Sequence, residues 1–354
     1  MDKINKNSFK ELSQIRNSIQ RMNDAKNQPH INQLLGFIWQ TNELHILFAD
    51  TGIGKSIIAV ATMDALTRGE KFLFLENENP PLTVLYYDFE LSDRQFKKRY
   101  TNEDGLEYIM SKDFYIDTID FAKLINMYPK VNFIDLLFEK FRYDIEKIVA
   151  NILVIDNLTF LSSQSTQDTQ VALEVMRKLN ELKKEFNLSI LVLAHTPKRY
   201  MNNPISIVDL AGSKHLSNFA DSISAIGKST QGKNIRYWKQ VKPSRSGELI
   251  FDTGKVIVLE IEKPDTFLTM KHINFSSEWD HLKAEVGNEE TPPLVFEVVK
   301  LLEQNVTYEK ISAQLGISKG TITKWKDKFH QLFVSVSNVS ENGAIRNMET
   351  GNKL

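Results

Sequence analysis

One eight-residue segment, residues 49–56, constrains the fold more than any other part of the chain. It reads Ala-Asp-Thr-Gly-Ile-Gly-Lys-Ser, follows the apolar run Leu44–Ala49, and leads into a sequence of good helix formers from Lys55 onward. This is the A-x-x-x-x-G-K-S form of the phosphate-binding loop, or P-loop, with alanine at the position of the first glycine. Because the motif belongs between a strand and a helix, it predicts an α/β domain that binds phosphate.

The residue types of this loop predict how a nucleotide is held. Gly52 and Gly54 allow the backbone to curl so that its N–H groups face phosphate oxygens, and the following helix adds the positive end of its dipole. Lys55 is expected to reach the β- and γ-phosphates, and Ser56 to place its hydroxyl on Mg²⁺. The predicted nucleotide-binding residues are Ala49, Asp50, Thr51, Gly52, Ile53, Gly54, Lys55 and Ser56.

Short apolar runs alternate with helical patterns between residues 34 and 273. Such runs are typical of parallel strands buried on both faces, so the alternation predicts an α/β fold with a mainly parallel central sheet. The predicted strands are 44–49, 83–89, 152–155 and 190–194, and the predicted helices are 55–68, 92–100, 133–148 and 168–186. Three more strands, 234–241, 255–261 and 266–273, are expected to extend one edge in antiparallel fashion.

Composition narrows the classes of partner. The chain has 44 basic and 45 acidic side chains, so DNA affinity must come from local patches rather than from net charge. It has no cysteine, which excludes disulfides, cysteine nucleophiles and thiolate metal sites. No run approaches the ~18 apolar residues that a membrane span needs, and the N-terminus lacks the apolar core of a secretion signal. We therefore expect a cytoplasmic protein without a membrane partner.

The predicted domain order places the α/β domain between two smaller elements. Residues 1–30 form an amphipathic helix, docked either on its own domain or on a neighbouring subunit; its apolar residues are Phe9, Leu12, Ile15, Ile19 and Met22. The α/β domain spans residues 31–275 and a linker spans 276–292. A helical domain at 293–334 and a disordered tail at 335–354, rich in Asn, Ser and Gly, complete the chain.

Polar residues follow three other predicted strands, at the end where ligands bind in open α/β sheets. Asp156 is a candidate Mg²⁺ ligand, and Glu90 lies at a turn where a carboxylate can activate water. His195 is a candidate contact to the γ-phosphate. Each has a plainer alternative, as an exposed strand-end aspartate, a solvated turn glutamate or an ordinary loop histidine. Likewise, Lys242 and Arg245 form either a solvated hairpin tip or a cationic pair that acts on a neighbour's nucleotide.

The order of these motifs over residues 30–270 resembles that of RecA-like ATPases of the RepA/DnaB hexameric helicase type. The resembling segments are the P-loop, YYDFELS at 86–92, ILVIDN at 152–157, LAHTPK at 193–198, AGSKHLSNFAD at 211–221 and VKPSRSG at 241–247. The resemblance implies a ring, usually of six subunits, with ATP between protomers.

The resemblance also implies roles for individual residues. Glu90 and Lys55 would be catalytic, His195 would sense the γ-phosphate, and Lys242 and Arg245 would act in trans on a neighbour's nucleotide. One departure is that these last two lie three residues apart, whereas the helicases commonly have a closer basic pair. Loops near 162–169 and 197–213 would face a channel for single-stranded DNA; Lys198 and Arg199 are in the second.

Residues 294–333 look like a helix-turn-helix. Thr307 and Ser318 suit helix N-caps, Gly316 suits the turn, and 318–329 is the expected recognition helix. A small core is predicted from Ile311, Leu315, Ile317, Ile322 and Trp325. The candidate DNA contacts are Lys319, Thr321, Thr323, Lys324 and Lys328. Lysine suits phosphate contact rather than base reading, and a protein-interaction or lid module is the alternative.

Together these features favour an oligomeric, DNA-linked ATPase, such as a replicative helicase or replication-initiation ATPase of a plasmid or mobile element. The alternative is an ATP-switched DNA-binding regulator or loader that does not unwind DNA. A small-molecule kinase is a third candidate, but the chain has no recognisable lid with paired arginines and a kinase leaves the C-terminal module unexplained.

Overall fold

The computed structural model describes residues 15–27, 30–158, 168–196, 202–210, 213–245, 247–282, 293–304 and 306–328. The chain divides into two compact units, Met1–Leu282 and Lys283–Leu354, each with its own apolar core. No helix among the described residues is both long and apolar enough to cross a membrane.

Extended segments form the centre of the first unit. In chain order the described strands are β1 (Gln33–Leu35), β2 (Trp39–Gln40), β3 (Leu44–Ala49), β4 (Val84–Asp88), β5 (Phe114–Asp117), β6 (Ile152–Asp156), β7 (Ser189–His195), β8 (Ser222–Lys228), β9 (Ile235–Lys242), β10 (Val256–Glu262) and β11 (Thr269–Ser276). β1 and β2 form a small antiparallel hairpin. Within the described ranges the other nine strands form one sheet, in the order β11-β10-β9-β8-β3-β7-β6-β4-β5.

The strands β8, β3, β7, β6, β4 and β5, which lie in this order across the sheet, pair in parallel. Beyond β8, the strands β9, β10 and β11 continue the sheet in antiparallel fashion. The predicted α/β fold with a mainly parallel sheet is therefore confirmed. Two strands of this sheet, β5 and β8, cannot be recognised in the sequence as apolar runs. β5 is half-exposed at the sheet edge, and β8 is buried but carries Ser222 and Ser224, whose hydroxyls bond His45.

Helices cover both faces of this sheet. The described helices of the first unit are α1 (Ser18–Ala25), α2 (Lys55–Thr67), α3 (Asp93–Arg99), α4 (Phe121–Met127), α5 (Phe133–Ile148), α6 (Asp168–Glu185) and α7 (Ser213–Phe219). Neighbouring strand residues point to opposite faces. Phe48 thus packs in one core with Phe138 of α5 and Leu179 of α6, whereas Leu47 packs in the other with Met63 of α2.

The first unit extends to Leu282 rather than ending at 275, which corrects the predicted boundary. Residues Glu278–His281 form a 3-10 turn whose Glu278 and His281 side chains are buried. Glu278 pairs with buried Lys239 and accepts a hydrogen bond from Ile205 N at 2.6 Å. These contacts hold the segment against β9, although its polar sequence reads as a linker. The rest of the predicted linker, 283–292, lies outside the described residues.

The amphipathic N-terminal helix is observed as the shorter α1, capped by Asn17, whose Oδ1 accepts from Gln20 N at 2.8 Å. Its apolar residues Ile19 and Met22 are exposed, as is Ile15, which belongs to the predicted stripe but precedes the observed helix. The described part of the helix is therefore not docked on its own domain. Phe9 and Leu12, from the same predicted stripe, lie outside the described residues.

The second unit contains three described helices, α8 (Pro293–Glu303), α9 (Tyr308–Leu315) and α10 (Lys319–Lys328). Gly316 ends α9 with a φ of 67°, a left-handed conformation that glycine adopts at low cost. Ser318 precedes α10, and its hydroxyl accepts a hydrogen bond from Thr321 N at 3.0 Å. Ile311 and Ile322 are fully buried in the small core, as the spacing predicts. The predicted tail, 335–354, lies outside the described residues.

His45 on β3 is a buried base that makes folding stability depend on pH. Its Nδ1 and Nε2 atoms lie 2.8 and 2.7 Å from the hydroxyls of Ser222 and Ser224. Burial lowers the pKa of His45 from 6.5 to about 3. Between these values the unfolded chain takes up a proton that the folded protein excludes, so the free energy of unfolding falls as the pH drops below 6.5.

We therefore expect the wild-type protein to lose about 2 kcal/mol of stability through His45 between pH 6.5 and pH 5. In His45→Gln the side chain still forms hydrogen bonds but does not titrate, so this loss should be missing. Chemical denaturation of both proteins at pH 7 and pH 5 measures the difference. A gap between the two unfolding free energies that stays constant with pH would contradict the prediction.

Candidate active site

The P-loop connects β3 to α2 through two glycines in the left-handed region, with φ of 75° at Gly52 and 116° at Gly54. Other residues rarely adopt these angles. Gly54 is further constrained, because a Cβ there would lie 2.6 Å from Met270 Cε on β11. Ala49 is the last residue of β3 and has extended backbone, so its methyl group is compatible with the loop.

Lys55, the first residue of α2, is buried within the loop. Its Nζ donates to the carbonyl oxygens of Ala49 and Asp50 at 3.0 and 3.2 Å and lies 3.1 Å from His195 Nδ1. Burial lowers the pKa of Lys55, and the charges of Asp156, Glu90 and Asp50 oppose the shift. The ammonium is thus held by weak carbonyl partners and faces three carboxylates, which suits it to an anionic ligand.

Asp156 ends β6 and is almost wholly buried. One carboxylate oxygen accepts from Tyr86 OH at 2.7 Å, and the other, Oδ1, is buried with no partner among the described residues. Burial raises the pKa of Asp156 to about 6, while the nearby hydroxyls of Tyr86 and Ser56 act to lower it. An unsatisfied buried oxygen is costly, and a carboxylate beside the Ser56 hydroxyl is the kind of oxygen donor set that Mg²⁺ prefers. These residues therefore fit Mg²⁺.

Asp156 reaches the P-loop from a strand that does not adjoin the loop's own strand. β6 is not the neighbour of the P-loop strand β3, because β7 lies between them. The carboxyl ends of the three strands meet at the same edge, however, since Asp156 pairs with Leu193 of β7 and Ala49 pairs with His195 of the same strand. Asp156 therefore reaches the loop across the end of β7, where His195 lies.

Glu90 lies just beyond the end of β4, in a turn shaped by Asp88. The Oδ1 atom of Asp88 accepts hydrogen bonds from the amides of Glu90 and Leu91, both at 2.9 Å. Ser92 is the N-cap of α3, and its amide donates to Gln95 Oε1 at 2.9 Å in a capping box. The turn thus fixes the backbone from which Glu90 extends towards the P-loop.

Asn157 joins Glu90 to His195. Its Nδ2 donates to Glu90 Oε1 and lies 3.0 Å from His195 Nε2, while His195 Nε2 is 3.3 Å from Glu90 Oε1. The hydrogen bond from His195 lowers the pKa of Glu90 most, and Lys55 and Asn157 lower it further. Glu90 is therefore ionised at neutral pH. Sequence reasoning gave Asn157 no role, although its place directly after Asp156 at the carboxyl edge was a signal.

Arg236 is a second residue of the site that the sequence motifs missed. It is buried on β9, and its Nε donates to the carbonyl of Ile53 in the P-loop at 2.7 Å. Its Nη1 also holds the carbonyls of Lys233 and Ile235. The P-loop is thus braced from the antiparallel side of the sheet, a contact between positions too far apart in sequence for any motif to reveal.

The basic turn lies at the opposite end of the sheet from the P-loop. Lys242 ends β9, which runs antiparallel to β8, and pairs with Ile223 near the start of that strand. Arg245 Nε lies 2.7 Å from Asp221 Oδ1, and Asp221 also accepts from the amide of Leu44, the first residue of β3. Since β3 is six residues long, Arg245 is separated from its own P-loop by roughly 16 Å of strand.

The two cations of this turn differ in their surroundings. Lys242 is half-buried, and its ammonium donates to the carbonyls of Ser217 and Ala220 at the end of α7, at 2.8 and 2.7 Å. Burial lowers its pKa. The side chain of Arg245 is 69% exposed. Of the two residues, Arg245 is thus the one that faces solvent.

In the second unit, the candidate DNA contacts lie on and around α10. Lys324 is exposed, and Lys319 is exposed and paired with Glu309 of α9. Thr321 and Thr323 are half-buried, and their hydroxyls bond Ser318 Oγ at 2.8 Å and Lys319 O at 3.2 Å. Nothing is described for the Lys328 side chain. The predicted channel loop at 162–169 and the residues Lys198 and Arg199 also fall outside the described side chains.

A glycine-bearing P-loop at the carboxyl edge of a mainly parallel sheet, with Asp156, Glu90 and His195 on neighbouring strands, defines a P-loop ATPase with the RecA-like fold. The chain belongs to the AAA domain family, whose model matches residues 11–201. Membership of this family supports ATP hydrolysis as the activity of this domain. A second model, the homeodomain-like domain, matches residues 294–332 and assigns a helix-turn-helix DNA-binding domain to the second unit.

Among solved structures, the chain is similar to the KaiC-like protein of the hyperthermophilic archaeon Pyrococcus horikoshii. The two are 13% identical with a TM-score of 0.48, and the match covers 68% of this chain and 99% of that chain. No curated protein matches the sequence.

Proposed function

We propose that this protein is a DNA-linked ring ATPase that hydrolyses ATP at the interfaces between its subunits. The observation that carries the proposal is the separation of Arg245 from the P-loop by the length of β3. A cation at one end of a protomer reaches a nucleotide site at the other end only on a neighbouring copy, and head-to-tail association, which forms a ring when the rotation between copies closes, brings the two together.

Within each site the residues divide the chemistry of hydrolysis. Glu90 takes the proton of the attacking water, since it is ionised and held by Asn157 and His195. Lys55 exchanges its carbonyl partners for phosphate oxygens, and the P-loop amides bind the remaining oxygens. Ser56 and Asp156 would hold Mg²⁺, which would supply positive charge to neutralise the phosphates. His195, which contacts both Lys55 and Glu90, is placed to sense the γ-phosphate.

The second unit supports a link to DNA. Lys319, Thr321, Thr323, Lys324 and Lys328 lie on the recognition helix α10 and carry donors suited to phosphate. We infer duplex binding with modest sequence preference, because the helix has no Arg, Asn or Gln to read base edges.

The form of the proposal that we favour is a hexameric replicative helicase or replication-initiation ATPase of a plasmid or other mobile element, acting in the cytoplasm. The order of motifs supports the helicase class. The exposed apolar residues Ile19 and Met22 of α1, together with exposed Ile15 just before it, support docking of this helix on a neighbouring subunit. In this form Arg245 acts in trans, while Lys242 holds the end of α7 and so positions the turn.

Unwinding of a forked DNA duplex tests the helicase form. With ATP and Mg²⁺ the wild-type protein should separate the strands, and Lys55→Ala should not, because it lacks the ammonium that binds the phosphates. A gel or fluorescence assay of strand separation measures the difference. Strand separation by Lys55→Ala at the wild-type rate would contradict the prediction.

A second candidate is an ATP-switched regulator or loader, favoured by the homeodomain-like match at residues 294–332. Its expected signature is ATP hydrolysis without unwinding, together with a footprint on one duplex sequence. The footprint should weaken in a Lys319→Ala, Lys324→Ala double variant, because two phosphate contacts are lost. The same forked substrate therefore separates the two candidates.

A further inference from the structure

We infer that Asp221 is a positioning residue for Arg245, holding the guanidinium where it meets the nucleotide of a neighbouring subunit. This inference rests on the proposed trans role of Arg245. Asp221 stands between α7 and β8, and neither the sequence motifs nor the P-loop site gives it a function.

The carboxylate of Asp221 is buried and fully engaged. Its Oδ2 atom accepts from Leu44 N at 2.9 Å and from the ammonium of Lys183, in the last turn of α6. Its Oδ1 atom lies 2.7 Å from Arg245 Nε. The Asp221 and Lys183 side chains are 5% and 11% exposed, whereas Arg245 is 69% exposed. A rigid acceptor inside the protein thus holds one atom of a solvent-facing cation.

The backbone that carries Arg245 is also fixed by buried groups. Glu43 accepts from the Ser244 hydroxyl and, at 3.3 Å, from the Arg245 amide. Lys242 donates to the carbonyls of Ser217 and Ala220. The turn is therefore held at Lys242, Ser244 and Arg245, and Asp221 orients the side chain that extends from it.

This arrangement indicates that Asp221 orients the guanidinium of Arg245 and does not withdraw it from other partners. An arginine held through Nε still presents the Nη1–Nη2 edge, and a guanidinium forks onto phosphate oxygens through paired donors of this kind. Because Asp221 restricts the rotamers of Arg245 before subunits meet, less conformational freedom is lost when the guanidinium engages a nucleotide. Loss of Asp221 should thus lower the rate of hydrolysis without changing how ATP binds to the P-loop at the far end of the sheet.

Steady-state ATPase kinetics of Asp221→Asn, Arg245→Ala and the double variant test the inference. We expect Asp221→Asn to lower kcat about 3- to 10-fold with KM unchanged. In the Arg245→Ala background the same substitution should have no further effect on kcat, because no guanidinium remains to be positioned. Asp135→Asn is the control, since it removes an exposed carboxylate from an ion pair with Lys178 elsewhere in the unit.

Other results overturn the inference. An equal loss of kcat in both backgrounds assigns Asp221 a purely structural role, and a gain in kcat shows that it restrains Arg245. If Asp221→Asn does not fold, Asp221→Glu takes its place in the same cycle, because it keeps the charge and shifts the carboxylate by one methylene. If Arg245→Ala itself leaves kcat unchanged, the trans role fails and the positioning role fails with it.

Discussion

Replacing Glu90 with glutamine should lower kcat for ATP hydrolysis about a thousandfold, the middle of the range for loss of a general base, while ATP still binds. Glutamine has the shape of glutamate and retains an oxygen that accepts from Asn157 Nδ2, so the site should keep its geometry. It cannot take a proton from water, however. The lowered pKa of Glu90 keeps the wild-type carboxylate deprotonated, and so able to accept a proton, throughout the neutral range.

Two measurements on the same protein check this expectation. Single-turnover hydrolysis gives the rate of the chemical step, and a fluorescent ATP analogue gives the affinity. Glu107→Gln is the matched control, because Glu107 is an exposed carboxylate whose ion pair is with Lys97 of α3. A Glu90→Gln protein that hydrolyses ATP within a fewfold of the wild-type rate would exclude Glu90 as the base. Asp156 and Asp88 would then be the candidate bases.

The parts of this structure that could be predicted from sequence are those encoded by local patterns. β3, β4, β6 and β7 are buried on both faces, so their apolar runs identify them directly. The P-loop is similarly local, since two glycines and a lysine must occupy fixed positions between a strand and a helix.

The parts that escaped prediction depend on contacts between distant positions. Both faces of β8 are buried, but two of its side chains are serines that contact His45. Its sequence therefore alternates polar and apolar residues, as in a strand with one face exposed to solvent. Glu278 and His281 are polar residues that read as a linker, but a buried ion pair with Lys239 on β9 fixes them inside the unit. Tertiary partners, rather than local propensity, decided these segments.

The same distinction applies within the site. Glu90, Asp156 and His195 follow buried strands, and the rule that ligands bind beyond the carboxyl ends of parallel strands was enough to nominate them. Arg236 and Asp221 act through one hydrogen bond or ion pair to a residue far away in sequence. No spacing in a single sequence reports such a pairing, so only the three-dimensional structure could nominate them.

Mixing two inactive variants should restore ATPase activity if Arg245 acts on a neighbour's nucleotide. Lys55→Ala removes the phosphate-binding ammonium, and Arg245→Ala removes a guanidinium whose counterparts in other ATPases contribute about 10³- to 10⁵-fold to kcat. Each homogeneous ring should therefore be almost inactive. In a mixed ring, however, an Arg245→Ala subunit contributes an intact P-loop, and a Lys55→Ala subunit contributes an intact arginine to the same interface.

The ATPase activity expected of the mixture follows from the fraction of subunit interfaces that are complete. With equal amounts and random assembly, about a quarter of interfaces combine an intact P-loop with an intact arginine, so the mixture should reach about a quarter of wild-type activity. Arg177→Ala is the matched control, because Arg177 is an exposed arginine of α6 whose pair is with Glu181. Mixed with Lys55→Ala, it should leave about half of the interfaces active, because every subunit then carries Arg245 and half of the subunits carry an intact P-loop. If the mixture of Lys55→Ala and Arg245→Ala stays inactive although the subunits exchange, Arg245 does not complete a neighbour's site. The separation of Arg245 from the P-loop along β3 would then reflect stabilisation of the protomer alone, through Asp221 and Leu44.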